Sequence, residues 1–255
     1  MTALFAQERK GDGEGETLVL LHGFGGDHTA WFTIVQRLPK DWRVLSYDLP
    51  GHGRSLDVPG GGRAGAMAKA VLADLDARGI DRFRLAGHSM GGAVATMIAL
   101  RAPERVAALT LLSPGGFGPE IAIDTLRDWA AASARPAIVR ALARMTAWGH
   151  RFGAFELGRI EAMRRRPGQV AMLREIVGAM ADKEGRQGAF PDEQIASLGN
   201  GTALVWGDAD PVLPFDQAKR HAGALRLVPL AGAGHMLMEE RPAEVAGAIA
   251  ETASR

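Results

Sequence analysis

Apolar runs too short to be helices alternate along this chain with longer stretches of helical periodicity. The runs at 17–21, 43–47, 83–87, 107–112, 203–206 and 225–230 read as strands, bounded by glycine, proline and aspartate. A further edge strand is expected near 4–9, joined to the next by the turn-rich segment 11–15. Helical patterns lie between the strands at 30–38, 65–78, 91–99, 214–221 and 242–254, with Pro103 and Pro242 at first-turn or boundary positions. This βαβα order predicts an α/β protein, a mostly parallel sheet with helices on both faces.

One interval departs from the rhythm. Between the strand ending near Leu112 and the one starting at Ala203, about ninety residues pass without a clear strand, far more than an ordinary crossover needs. Its apolar positions recur at helical spacing: Ile121, Ile123, Leu126 and Trp129, then Ile138, Leu142, Met145 and Trp148, then Val170, Leu173 and Ile176. Breaks are expected at Pro136, Pro167-Gly168 and Gly185. The segment 117–198 is therefore expected to be an inserted helical lid on a core made of 1–116 and 199–255. Most of its apolar residues should pack the lid itself. Trp129 and Trp148 are the candidates to face a substrate.

Composition narrows the chemistry. The 255 residues suffice for one domain with an insertion. With 30 basic and 29 acidic residues the net charge is +1, so no global field draws the chain to nucleic acid or to an anionic membrane. Cysteine is absent, which excludes disulfides, thiolate metal sites and a cysteine nucleophile. No apolar run approaches the ~18 residues of a membrane span, and the first ten residues lack the apolar core of a leader. A cytoplasmic protein without a membrane partner is the expectation. No Gly-Lys-Ser/Thr or H-E-x-x-H occurs, and neither a nucleotide cofactor nor a metal is expected. The arginines 159, 164, 165, 166 and 174 read as a solvated face of the lid, with anchoring of an anionic substrate as the sharper alternative.

Candidate chemistry begins at Gly87-His88-Ser89-Met90-Gly91-Gly92, a G-x-S-x-G between a strand and a helix. Glycines at 87 and 91 remove Cβ atoms that would collide in so tight a turn, leaving Ser89 at a strained vertex. A serine hydroxyl needs a base, and the base needs an orienting group. Of seven histidines, His235 is the best placed, in a glycine-rich loop directly after the last strand. His22 is expected to brace its own turn, and His88 to point away from its neighbour Ser89. The acid should follow a strand between serine and histidine, where Trp206-Gly207-Asp208-Ala209-Asp210-Pro211 offers two carboxylates. Asp210, whose position the following Pro211 and Pro214 would rigidify, is favoured as the acid. Asp208 is the alternative and is expected to cap the turn. His22-Gly23-Phe24-Gly25-Gly26 lets main chain approach a substrate, so the amides of Phe24 and Met90 are the candidate oxyanion donors.

Taken together, His22–Gly26, Asp48–Ser55, the Ser89 turn, Gly207–Pro214 and Gly234-His235 resemble the α/β-hydrolase superfamily over nearly the whole chain, with the triad in the order Ser89, Asp210, His235. The segments Leu112–Ile121 and Glu184-Gly185-Arg186-Gln187 further resemble the hydrolase-fold portion of acetoin-system dihydrolipoamide acetyltransferases. Those proteins carry a lipoyl domain ahead of this portion, for which 255 residues leave no room. A more distant resemblance is to meta-cleavage product hydrolases, which split carbon–carbon bonds. They have Asn before the nucleophile and Trp after the histidine, where this chain has His88 and Met236. The resemblance implies a serine hydrolase acting on a small-molecule ester or related acyl substrate, without cofactor. Carbon–carbon hydrolysis, acyl transfer and a catalytically inactive binding protein stand as alternatives.

Overall fold

The computed structural model describes residues 4–12 and 15–252. Seven strands form one sheet: β1 (Ala6–Arg9), β2 (Thr17–Leu21), β3 (Arg43–Tyr47), β4 (Phe83–His88), β5 (Val106–Leu112), β6 (Ala203–Gly207) and β7 (Arg226–Leu230). Their spatial order is β1-β3-β2-β4-β5-β6-β7. All pairings are parallel except β1 with β3, which is antiparallel. The central strands β4, β5 and β6 are buried at every position, as covering on both faces requires. The outer strand β7 is exposed at Arg226 and at Pro229, a residue that lacks a ladder donor and is tolerated at an edge. Part of the expected turn at 11–15 lies outside the described residues.

Helices cover both faces. On one side α2 (Ala64–Ala77) and α3 (Met90–Arg101) bury Met67, Val71, Leu75, Val94 and Ile98 against the sheet. On the other, α1 (Phe32–Val35) and the C-terminal helix Pro242–Glu251 bury Ile34, Val245 and Ile249 around Trp31. The helix expected at 30–38 is shorter than its pattern. A 3₁₀ turn, His28–Trp31, starts it early because the Asp27 carboxylate caps Thr29 N at 2.9 Å. Pro39 disfavours helical backbone at Leu38 and contributes to the early end.

Five helices fill the long interval between β5 and β6: α4 (Ile123–Ala131), α5 (Arg135–Ala143), α6 (Ala154–Arg164), α7 (Gln169–Gly178) and α8 (Asp192–Ser197). Pro136 falls in the first turn of α5, and Gly168 precedes α7 in a left-handed conformation, φ 82°. Here α4 packs on α5 and α7, and α6 packs on the same two. Beyond β6 come α9 (Asp216–Arg220), a short α10 (Leu237–Glu240) and the C-terminal helix α11. Periodicity did not reveal α10, which is a single turn. The expected end of α11 at Ser254 lies outside the described residues. Among the described residues, no helix is long and apolar enough to cross a membrane.

Candidate active site

Four loops at the C-terminal ends of β2, β4, β6 and β7 meet over one edge of the sheet, where open α/β sheets bind ligands. Ser89 stands between β4 and α3 at φ 52°, ψ −116°, a backbone conformation that L-residues avoid. Its surroundings hold it there. Ser89 N donates to Leu112 O at 2.9 Å, and Ser89 O accepts from Gly115 N at 2.9 Å and Ala93 N at 3.1 Å. A Cβ at Gly87 would lie 2.3 Å from Gly91 O, and one at Gly91 would lie 2.2 Å from Leu21 O. Only glycine permits strand, turn and helix to approach so closely.

The β7 loop brings His235 to the same cleft, where it and Ser89 are both lining residues. His235 Nδ1 lies 2.8 Å from Asp210 Oδ2, and both side chains are buried. Asp210 Oδ1 accepts from Val212 N at 2.8 Å and Leu213 N at 2.9 Å. Burial alone would raise the Asp210 carboxyl, but His235 and these two amides outweigh it and hold the group below its ordinary range. Asp208 instead accepts from Gly232 N at 2.7 Å and braces the neighbouring loop. The carboxylate against His235 is thus Asp210.

Met90 follows Ser89 in the chain, and Phe24 lines the same cleft. Met90 is the first residue of α3, so its N–H belongs to the set a helix leaves without an intrahelical acceptor. Gly23 packs so tightly that a Cβ there would lie 2.6 Å from His88 Nδ1 and 3.3 Å from Ser89 Cβ. His22 Nδ1 donates to Gly23 O at 2.8 Å while its Nε2 accepts from Leu49 N at 3.0 Å, which braces the turn as expected. His88 Nε2 donates to His235 O at 2.8 Å, so the histidine beside Ser89 supports the loop of the other. Burial pushes His88 down to about 3 and the charge of His235 adds to the shift, which keeps His88 neutral.

The two tryptophans part company. Trp129 is buried, lines the cleft, and donates from Nε1 to Phe24 O at 3.1 Å. Trp148 is fully exposed at 103%. The expectation that Trp148 faces the substrate is corrected: it sits in the connection between α5 and α6, where helical phase no longer decides facing. The arginine run is corrected in part as well. Arg165, Arg166 and Arg174 are exposed. Arg159 instead lines the cleft, with Nη2 2.7 Å from Glu239 Oε1. Arg164 is buried, its guanidinium 4.2 Å from the centre of the Trp129 ring. All three Arg164 nitrogens lack a hydrogen-bond partner among the described residues, and burial pushes the group down to about 9.

Sequence reasoning also missed Glu240. Its Oε2 accepts from Ala147 N and Gly234 N at 2.9 Å each, and its Oε1 from Met236 N at 3.0 Å. One carboxylate thus ties the His235 loop to the end of α5's extension. No local motif announces this, because Ala147 and Glu240 lie 93 positions apart. Asp27, His28 and Asp48 place ligand-type atoms within 4.8 Å of one another, the one such group among the described residues. Asp48 already accepts from His28 N, His28 Nδ1 and Arg54 N, and Asp27 caps Thr29, so loop bracing accounts for these carboxylates.

Residues 18–248 match the model of the alpha/beta hydrolase family, and the chain belongs to that family. It is 37% identical over 235 residues to a dihydrolipoyllysine-residue acetyltransferase component of the acetoin cleaving system from Pseudomonas putida, covering 91% of this chain and 62% of that protein. The chain therefore spans less than two thirds of that relative. It is also 38% identical over 111 residues, 42% of its length and 39% of the relative's, to a 2-hydroxy-6-oxo-6-phenylhexa-2,4-dienoate hydrolase from Comamonas testosteroni. Among solved structures, a meta-cleavage product hydrolase from Pseudomonas fluorescens IP01 superposes with TM-score 0.82 at 22% identity, over 98% of this chain and 94% of that one. An esterase from Thermogutta terrifontis does so with TM-score 0.74 at 24% identity, over 97% and 92%. The resemblance drawn from the motifs holds at the level of family and fold.

Proposed function

We propose that this chain is a serine hydrolase that cleaves an ester or related acyl bond of a small molecule through an acyl-enzyme. The observation that carries the reading is Ser89 held at φ 52° on a strand–helix turn, in one cleft with a His235 already oriented by Asp210 at 2.8 Å. In this mechanism His235 Nε2 takes the Ser89 proton as Oγ attacks the carbonyl carbon. The amides of Phe24 and Met90 receive the charge that develops on the carbonyl oxygen. Asp210 keeps the proton on Nδ1, so that Nε2 is the free base, and stabilises the imidazolium that forms. His235 then protonates the departing alcohol. Water, deprotonated by the same histidine, attacks the acyl-enzyme and releases the acid and Ser89. The helical segment 117–198 acts in this reading as a lid that roofs the acyl pocket.

A fluorophosphonate probe tests the nucleophile directly. Wild type should be labelled once, at Ser89, and Ser89→Ala should fold yet lose labelling and nearly all ester turnover, on the order of 10⁶-fold. Labelling that persists in Ser89→Ala removes the serine from the mechanism. Similarity to the Comamonas testosteroni dienoate hydrolase supports carbon–carbon hydrolysis as a second reading. Parallel turnover of a simple ester and a vinylogous diketone separates the two.

A further inference from the structure

The cleft at Ser89 has two unequal arms. The larger, about 410 Å³, is lined by apolar groups including Met97, Ile121, Met180 and Phe190. The smaller, about 40 Å³, lies on the His235 side and has an ion pair in its wall. Arg159 from α6 and Glu239 from α10 meet there at 2.7 Å, with side chains only 12% and 6% exposed. The second Glu239 oxygen, Oε2, is buried and has no hydrogen-bond partner among the described residues.

A lone guanidinium beside a reactive serine would recruit a carboxylate, since that pairing is the strongest a planar fork of donors can make. Here one nitrogen of the fork, Nη2, already meets Glu239 Oε1. A substrate carboxylate entering the small arm would share one cation with Glu239, in a space with little water to screen two like charges. A neutral group carrying an N–H or O–H meets no such repulsion and can donate to the unpartnered Oε2. Building on the hydrolase reading above, we propose that Glu239 is a specificity-determining residue: by neutralising Arg159 it makes the small arm accept an uncharged hydrogen-bond donor, such as a carboxamide, and exclude carboxylate-bearing substrates. Discrimination of this kind combines an attractive and a repulsive element.

The test compares isosteric esters, ethyl glutaramate and monoethyl glutarate, with ethyl pentanoate as the apolar reference. Turnover is followed by pH-stat at pH 8, because burial pushes the Glu239 carboxyl up while Arg159 draws it down only in part. Wild type should favour the carboxamide over the carboxylate by tenfold or more in kcat/KM, a difference of about 1.4 kcal/mol or more in transition-state binding. Glu239→Gln should cut that ratio at least tenfold, chiefly through a lower KM for monoethyl glutarate. The double variant Arg159→Met, Glu239→Met removes the pair together, leaving no buried charge alone. It should erase the advantage of the carboxamide over ethyl pentanoate. If wild type and Glu239→Gln hydrolyse both glutaryl esters with the same ratio, Glu239 does not set specificity. If wild type turns over none of the three and Ser89 resists the fluorophosphonate, the hydrolase reading fails instead.

Discussion

At Asp210 and Asp208 two carboxylates lie two positions apart in one loop, and their partners divide the work between them. Asp210 meets His235 Nδ1 and two amides, whereas Asp208 meets Gly232 N. Asp210→Asn should lower kcat by roughly 10³–10⁴-fold, because an amide no longer selects the histidine tautomer. Asp208→Asn should stay within about tenfold, the loss of one loop contact. Ester kinetics on both variants decide the assignment, and an equal or reversed loss would move the acid to Asp208. Arg164 poses the opposite question, a buried charge with an aromatic face but no hydrogen bond among the described residues. Replacing such a charge by an apolar group of similar length is commonly neutral or stabilising by about 1–4 kcal/mol. Arg164→Met should therefore unfold in urea at the same or a higher midpoint. A variant less stable by several kcal/mol would show that the cation–π contact on Trp129 outweighs the desolvation.

At the scale of elements, the short helix α10 determines where His235 sits. Glu240 takes three amide donors from two separate stretches of chain, and His235 N donates to Met145 O at 2.8 Å. The His235 loop is thus fastened to the segment after α5 as well as to His88 at the end of β4. Each hydrogen bond to a charged group contributes about 1.5–3 kcal/mol, so Glu240→Ala should destabilise the fold by at least about 2 kcal/mol. It should also lower kcat at temperatures where the variant remains folded, since the imidazole loses its support. Thermal melting beside kcat checks both. A variant that melts early yet keeps full kcat while folded would show that α10 stabilises without positioning.

Around the site, His22, His52 and His88 are buried and pushed toward the neutral form. Burial pushes His52 and His88 down to about 3, in each case helped by a neighbouring histidine, and lowers His22 against the pull of Asp48. A base whose folded value lies below its unfolded value, about 6.5, binds fewer protons folded than unfolded. Its contribution to stability is complete above pH 6.5 and is lost as pH falls from 6.5 toward 3. For His52 and His88 the loss is about 2 kcal/mol each by pH 5. Urea midpoints should fall between pH 7 and pH 5, and His52→Gln should shrink that fall by about 2 kcal/mol. An unchanged pH slope in His52→Gln would mean that this ring takes up its proton without unfolding.

The sheet, its two helical layers and the Ser89 turn were legible in the chain itself. Each rests on local physics: apolar runs at strand length, apolar positions at helical spacing, and glycines at 87 and 91 where a tight turn excludes side chains. The helical nature of 117–198 was legible for the same reason. Facing was not. Trp129 and Trp148 each extend a helical pattern, yet one lies under the Phe24 loop and the other in open solvent, because the helix before Trp148 ends at Ala143. The arginines at 159, 164 and 165 are likewise indistinguishable as a run. Tertiary packing turns one toward Glu239 and buries another against Trp129, while the third stays exposed. Glu239 and Glu240 acquire meaning only when chain segments some eighty to ninety positions away close over them. What the sequence determined by itself is the scaffold and the candidate nucleophile, base and acid, since backbone geometry specifies those from nearby residues. What the tertiary structure decided is the charge and shape of the cleft, because those arise from side chains that the order of the chain keeps far apart.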